Sequence, residues 1–294
     1  MYVGRLIRFA AVLVTLVAGV AHLPAQEIGP VRGTLLIAGG GDTSGAIFER
    51  FIELAGGPAA HIVVIPTAGG AESYDESHSM VRRFKQAGAA GVRVLHTRDR
   101  RAADSDTFVR PLRDATAVWI TGGSSGLLGD IYVGTEVQRE LVGVLERGGV
   151  VAGSSAGGNI QGTYLARGDA RLNTLEDVVG NLRDGFALLR KDVVMDQHLL
   201  RRNRQFDLIR IIEAQPELLG IGIDEATAIV VQGDDFEVIG ASYVAIYDHN
   251  RTVEGGGEFY FLAPGDHFNL RTRVATREVR TRQQLDRIRD RPGR

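Results

Sequence analysis

The sequence predicts an α/β fold built on a mostly parallel sheet with an antiparallel extension toward the C-terminus, and three observations carry that expectation. From Thr34 onward, short β-branched runs alternate with longer stretches of helical period, the pattern of repeated strand–helix units. Each of those runs stops in glycine or a small polar residue. After Ile221 the helical stretches give way to short strands linked by turns.

Taken in order, "TLLIAGGG" from Thr34 reads as a strand and a glycine turn. "SGAIFERFIELAGG" follows as a helix that puts Ile47, Phe51 and Leu54 on one face and ends at Gly56 and Gly57. "HIVVIPTAGG" is the next strand, closed by Pro66; a helical segment from Ser79 to Ala87 leads to the strands "VRVLH" and "AVWITGG" and the helix "EVQRELVGVLERGG". In open α/β sheets ligands gather outside the carboxyl ends of the strands, so these glycine-rich ends nominate one rim as the site. Beyond Ile221, "AIVVQGDDFEVIGASYVAIYD" and "GGEFYFLAPGD" extend the same domain, with no Pro- or Ser-rich linker between. The closing stretch, "TREVRTRQQLDRIRDRPGR", alternates in charge and suits a solvated helix or frayed tail.

At the other end, Arg5 and Arg8 precede the apolar run "FAAVLVTLVAGVA", and small residues follow at Ala21 and Ala25. That is the pattern of a secretory signal peptide over residues 1–25, shorter than a membrane span requires. The expected organisation is therefore a leader, one domain over 26–275 and a charged tail over 276–294, in a protein exported to the periplasm or beyond and without a stable membrane span. With no cysteine in the chain, a disulfide and a thiolate nucleophile are both excluded. The formal net charge is −2 and the only lysines are Lys85 and Lys191, so the many arginines leave no cationic excess for nucleic acid. Nothing in the sequence calls for a metal or another cofactor.

One corner carries chemistry. In "GGVVAGSSAGGNIQG", Gly148 to Gly162, a strand runs into two serines and then a helical stretch, and Gly153, Ser155 and Gly157 satisfy G-x-S-x-G in the strand–turn–helix context that motif needs. Ser155, not Ser154, is the candidate nucleophile. The Ala156 N–H at the start of the helix would be one oxyanion donor, and the turn in "WITGGSSG" offers Gly122 or Gly123 as the second. The same glycines also suit a plain tight turn or an anion cradle, so the reading depends on partners.

A serine nucleophile needs a base and a carboxylate to orient it. Of seven histidines, His22 falls in the leader, His61 opens a strand at the far end from the rim, and His78 and His96 lie in polar surroundings. His198 sits in "VVMDQHLLRRNR" at the carboxyl end of a predicted strand, beside Asp196 and Gln197. "LGIGIDEATAIVV" places Asp224 and Glu225 at the end of another strand, where alternation sends their side chains in opposite directions; one can face the base while the other pairs structurally.

Together, "GGG", "IPTA", "TGG", "GSSAGG", "DQH" followed by arginines, and "GIGIDE" with "AIVV" resemble the serine peptidase family of cyanophycinase and aspartyl dipeptidase, in order from about Thr34 to Leu270. The resemblance implies a flavodoxin-like three-layer sandwich with helices on both faces, related to class I glutamine amidotransferases with serine in place of their cysteine. It implies Ser155 as nucleophile, His198 as base, Glu225 as acid with Asp169 in reserve, and the Gly122–Gly123 turn as second oxyanion donor. It further implies a peptide or cyanophycin-like substrate, cut at aspartyl or β-aspartyl bonds and contacted by Ser125, Asp196, Gln197, Arg202 and Arg204, and it is compatible with a homodimer. Two departures stand on the substrate side: Ser124 and Ser125 follow the "TGG" where relatives carry an acidic or amide residue and then glutamine, and Asp207 occupies the place of a third arginine.

Two other functions fit parts of the sequence. An α/β-hydrolase esterase would order its triad Ser155, Asp224, His267, although "APGDHFNL" resembles a turn between surface strands. An exported binding protein would hold an anion at the serine corner without turnover.

Overall fold

The computed structural model describes residues 29–166, 182–189, 192–251 and 257–277. The expected leader, Asp169 and the tail beyond Arg277 lie outside the described residues. The first half alternates as expected: β1 (Thr34–Ala38), α1 (Ala46–Ala55), β2 (His61–Ile65), α2 (Ser79–Gln86), β3 (Gly91–Val94), α3 (Arg100–Ala103), α4 (Asp106–Arg113), β4 (Ala117–Ile120), α5 (Ser125–Tyr132), α6 (Glu136–Glu146), β5 (Val150–Ser154) and α7 (Ala156–Asn159). Its strands pair in parallel in the order β1-β5-β4-β2-β3. β1 and β4 are buried along their whole length, which is why they read as unbroken apolar runs without alternation.

Helices cover both faces of this block. On one, Ile47 and Phe51 of α1 and Val81 and Phe84 of α2 pack on Leu36, Val64 and Trp119. On the other, Val109, Leu112, Leu128, Val137 and Leu141 pack on Leu35, Val63, Ile120 and Val151. α1 ends where Gly56 takes a left-handed φ of 104°, as its glycine pair foretold. Leu54 is only half-buried, and Ala55 completes the inward face instead. α5 has no counterpart in the sequence reading, because Gly126 and Gly129 dilute its helical signal; Ser124 caps it by accepting the Leu127 N–H at 3.2 Å.

The second half departs from expectation in one respect. After β6 (Tyr164–Leu165), β7 (Arg183–Asp184), β8 (Val193–Gln197), α8 (Asp207–Ala214) and β9 (Leu219–Ile223), the chain forms β10 (Thr227–Gln232), β11 (Asp235–Gly240), β12 (Val244–Asp248), β13 (Tyr260–Leu262), β14 (His267–Asn269) and β15 (Val274–Thr276). β10, β11, β14 and β15 do continue the first sheet as an antiparallel extension, giving nine strands among the described residues. β12 and β13 join β9, β8, β6 and β7 in a second, six-stranded sheet. Hydrophobic period marks a strand but not its partner, so a second sheet is invisible in the pattern. Val193, Met195, Ile221 and Ile223 pack into the same core as Ile229 and Val231 of the first sheet. α8 covers the outer side of the second sheet through Leu208, Ile211 and Ile212, while Phe206 is 61% exposed just before the helix.

Phe51 is fully buried, with ring centroids 5.1 Å from Phe84 and 5.0 Å from Trp119. Phe51→Ala should lower unfolding stability by about 3–5 kcal/mol in urea titration, the range for emptying an aromatic core site. A loss under about 1 kcal/mol would show that this face of the sheet is not a packed core.

Candidate active site

The serine corner is built by contacts that admit no side chain. β5 runs into Ser155, whose φ of 53° and ψ of −118° make the sharp turn into α7. A Cβ on Gly153 would stand 2.2 Å from Gly157 O, and one on Gly157 would stand 2.1 Å from Ile120 O. Both glycines of the motif are therefore required by backbone-to-backbone approach. The turn delivers Ser155 Oγ to the rim, where it meets His198 Nε2 at 2.7 Å.

His198 follows β8 directly and takes a left-handed φ of 56°. Its Nδ1 lies 2.7 Å from Glu225 Oε1. A carboxylate can only accept, so Nδ1–H donates to Glu225 and Nε2 of the neutral ring is left to accept from the Ser155 hydroxyl. Arg201 Nε stands 4.0 Å from Glu225 Oε2.

The sequence reading missed what the glycines after β1 do. Three consecutive carbonyls accept the amides that set these residues: Ala38 O from Ser155 N at 3.0 Å, Gly39 O from His198 N at 3.0 Å, and Gly40 O from Ala226 N at 2.9 Å. Gly40 and Gly41 lie flat against the pair, since a Cβ on Gly40 would fall 2.3 Å from His198 Cε1 and one on Gly41 would fall 2.7 Å from Glu225 Oε2. Only the "GGG" triplet signalled this, as a turn too tight for side chains.

The other predicted residues differ in what surrounds them. Gly122 borders Ser155, a Cβ there standing 3.1 Å from Ser155 Cβ; Gly123 has φ 141° and packs on Ala68 O. Ala156 opens α7, where a backbone N–H has no partner within the helix. Ser125 is 5% exposed, its Oγ 3.5 Å from Asn159 Nδ2. Arg204 lies against Asp196 and Gln197, with Nη1 3.5 Å from Asp196 Oδ1 and donating to Gln197 O at 3.1 Å, whereas Arg202 is exposed. Asp224 turns away from the imidazole and accepts the Leu200 and Arg201 amides. His267 is an exposed residue of β14, separated from β5 by β11, β10 and β1, so the Ser155–Asp224–His267 arrangement does not assemble.

Residues 34–239 match Peptidase family S51. The chain belongs to that family. It is 32% identical to a cyanophycinase of Geminocystis herdmanii (strain PCC 6308) over 227 residues, 74% of this chain and 81% of that one. Identity to a cyanophycinase of Nostoc sp. is also 32%, over 249 residues and covering 78% and 81%. In fold it is similar to the crystal structure of a peptidase from an acI-B1 Actinobacterium, with a TM-score of 0.60 at 24% identity over 82% of this chain and 98% of that one. As a member of family S51 it is a serine-type peptidase. Among the described residues no helix is long and apolar enough to cross a membrane.

Burial pushes the His198 imidazole below its ordinary value; the Glu225 hydrogen bond opposes this, and the positive charges of Arg202 and Arg204 add to the depression. The ring therefore stays neutral to lower pH than a free histidine does. Removing the Arg202 charge takes away one depressing cause, so Arg202→Gln should move the titration to higher pH while Arg202→Lys leaves it in place. Following the ring protons by NMR checks this. A His198 titrating at or above about 6.5, the free value, would contradict the reading.

Proposed function

We propose that this family S51 peptidase hydrolyses aspartyl or β-aspartyl peptide bonds through Ser155, His198 and Glu225, by way of an acyl-enzyme. The observation that carries the reading is the pair of 2.7 Å contacts that runs from Ser155 Oγ through the imidazole to Glu225. In this mechanism Ser155 Oγ attacks the scissile carbonyl as His198 Nε2 takes its proton, and Glu225 stabilises the imidazolium that forms. The oxyanion develops beside the Ala156 N–H and the Gly122–Gly123 turn, where each donor is worth a few kcal/mol. Collapse returns the proton to the leaving amine, and water then releases the acyl group by the same steps in reverse order.

The preference for an acidic residue is assigned to Arg202. It is exposed and close enough to His198 to act on its titration, while Arg204 is turned to Asp196 and Gln197. A guanidinium grips a carboxylate through two parallel hydrogen bonds, which an ammonium cannot reproduce. The relatives' name makes cyanophycin the first polymer to test, although Ser125 and Asp207 depart from the substrate side that the resemblance describes. The N-terminal pattern of Arg5, Arg8 and the apolar run supports export, with the substrate met outside the cytoplasm.

Purified protein assayed on α-aspartyl, β-aspartyl, asparaginyl and alanyl dipeptides and on cyanophycin tests the substrate. An aspartyl substrate should have the highest kcat/KM, and Arg202→Lys should raise KM for it several-fold. Equal rates on Asp and Ala at the first position, or an unchanged KM in Arg202→Lys, would remove the carboxylate clamp.

Ser155→Ala and His198→Ala should each abolish nearly all turnover, and their losses should not add, because nucleophile and base act as one unit. Glu225→Gln should lower kcat more than it changes KM. If Ser154→Ala inactivated the protein and Ser155→Ala did not, the corner would be misread by one residue.

A further inference from the structure

Asp224 is 7% exposed and its carboxylate is spent on the segment that carries His198, not on the imidazole. Oδ1 accepts the backbone N–H of Leu200 and of Arg201, both at 3.0 Å. Oδ2 accepts the Ser242 hydroxyl at 2.7 Å. The backbone of Asp224 is itself fixed, its N–H donating to Tyr243 O at 3.1 Å, and Ser242 N is held by Thr227 Oγ1 at 2.8 Å.

The segment those bonds grip is a single tight turn. His198 enters it with φ 56°; Arg202 N donates to His198 O at 3.0 Å, and Arg204 N closes on Leu199 O at 2.7 Å. A turn that starts in this way leaves its first amides without acceptors of their own, as at any helical start. Asp224 supplies the acceptor from the end of β9, the strand paired alongside β8. A non-glycine residue does not keep a left-handed backbone unless its surroundings over-determine it. Contacts on both sides do so for His198: Gly39 O accepts its own N–H, and after it Ile223 O accepts the Leu199 N–H at 3.3 Å and Asp224 the next two amides.

We propose that Asp224 is a positioning residue, which holds the imidazole at bonding distance from both Ser155 and Glu225 by clamping the Leu200 and Arg201 amides. It acts through the location of its two oxygens and not through its charge. The inference rests on the reading of His198 as the base. Sequence adjacency makes the division of labour legible: of two neighbouring acids at the end of β9, Glu225 meets the ring and Asp224 fixes the ring's backbone.

Position and charge separate by substitution. Asp224→Asn removes the charge but keeps an oxygen for both amides, and its Nδ2 can donate to the Ser242 oxygen. Asp224→Glu keeps the charge and shifts the oxygens by one methylene. The probe is a fluorophosphonate, whose reaction with Ser155 is read as kinact and KI on the full protein, with circular dichroism and Tm recorded for each variant. Asp224→Asn should label within about threefold of wild type, while Asp224→Glu and Asp224→Ala should lose about tenfold or more in kinact with KI little changed, the scale of effect expected from small misplacement of a reacting group. A purely structural role would lower Tm and leave kinact of the folded protein untouched. Wild-type kinact in Asp224→Glu, or Asp224→Asn as slow as Asp224→Ala, would overturn the proposal. His198→Ala serves as the control: wild-type labelling there would bring down the base assignment itself, whereas an inert His198→Ala beside three unaffected Asp224 variants would remove only Asp224.

Discussion

Three successive carbonyl oxygens at the end of one strand set the register of the whole site. Ala38, Gly39 and Gly40 accept the amides of Ser155, His198 and Ala226, which arrive from three different places in the chain and from two different sheets. Each of the three donors is a non-glycine residue with a left-handed φ, of 53°, 56° and 54°. Such conformations cost about 1–3 kcal/mol apiece and persist only where neighbouring structure holds them. The end of β1 is that structure, and it is rigid because β1 lies between β5 and β10 with every residue buried.

From this constraint the chemistry follows by geometry. Ser155 is lifted out of the sheet by its strained turn, His198 is lifted out of the second sheet by its own, and the two meet at 2.7 Å with Glu225 behind. The glycines at 40 and 41 lie against the imidazole and carboxylate where any Cβ would intrude. Burial then keeps the imidazole neutral, the state in which it can accept a proton from serine.

The parallel half of the fold was legible because β1, β2, β4 and β5 are covered on both faces and so spell largely apolar runs that stop at glycine, proline or a small polar residue. The corner at Ser155 was legible for the same reason: a motif that must pass backbone against backbone can only be written in glycine. His198 and Glu225 stood out as polar residues at strand ends. The pairing of β8 and β9 into a separate sheet was not legible, since period 2 records which way side chains point and not which strand lies alongside. Nor was the fate of Arg204, whose guanidinium turns to Asp196 and Gln197 although its spacing from the histidine suits a substrate contact equally well. That one of the two adjacent acids would pair structurally was legible; which groups Asp224 binds was not, because a carboxylate that binds backbone amides leaves no partner in the sequence to find.

The central claim is that the end of β1 registers Ser155 against His198, and peptide mapping after fluorophosphonate treatment tests it most directly. The account predicts a single adduct on Ser155 in the wild type and none in Gly40→Ala, where the added Cβ displaces the imidazole while circular dichroism stays native. An adduct on Ser154, or wild-type labelling of Ser155 in folded Gly40→Ala, would contradict it.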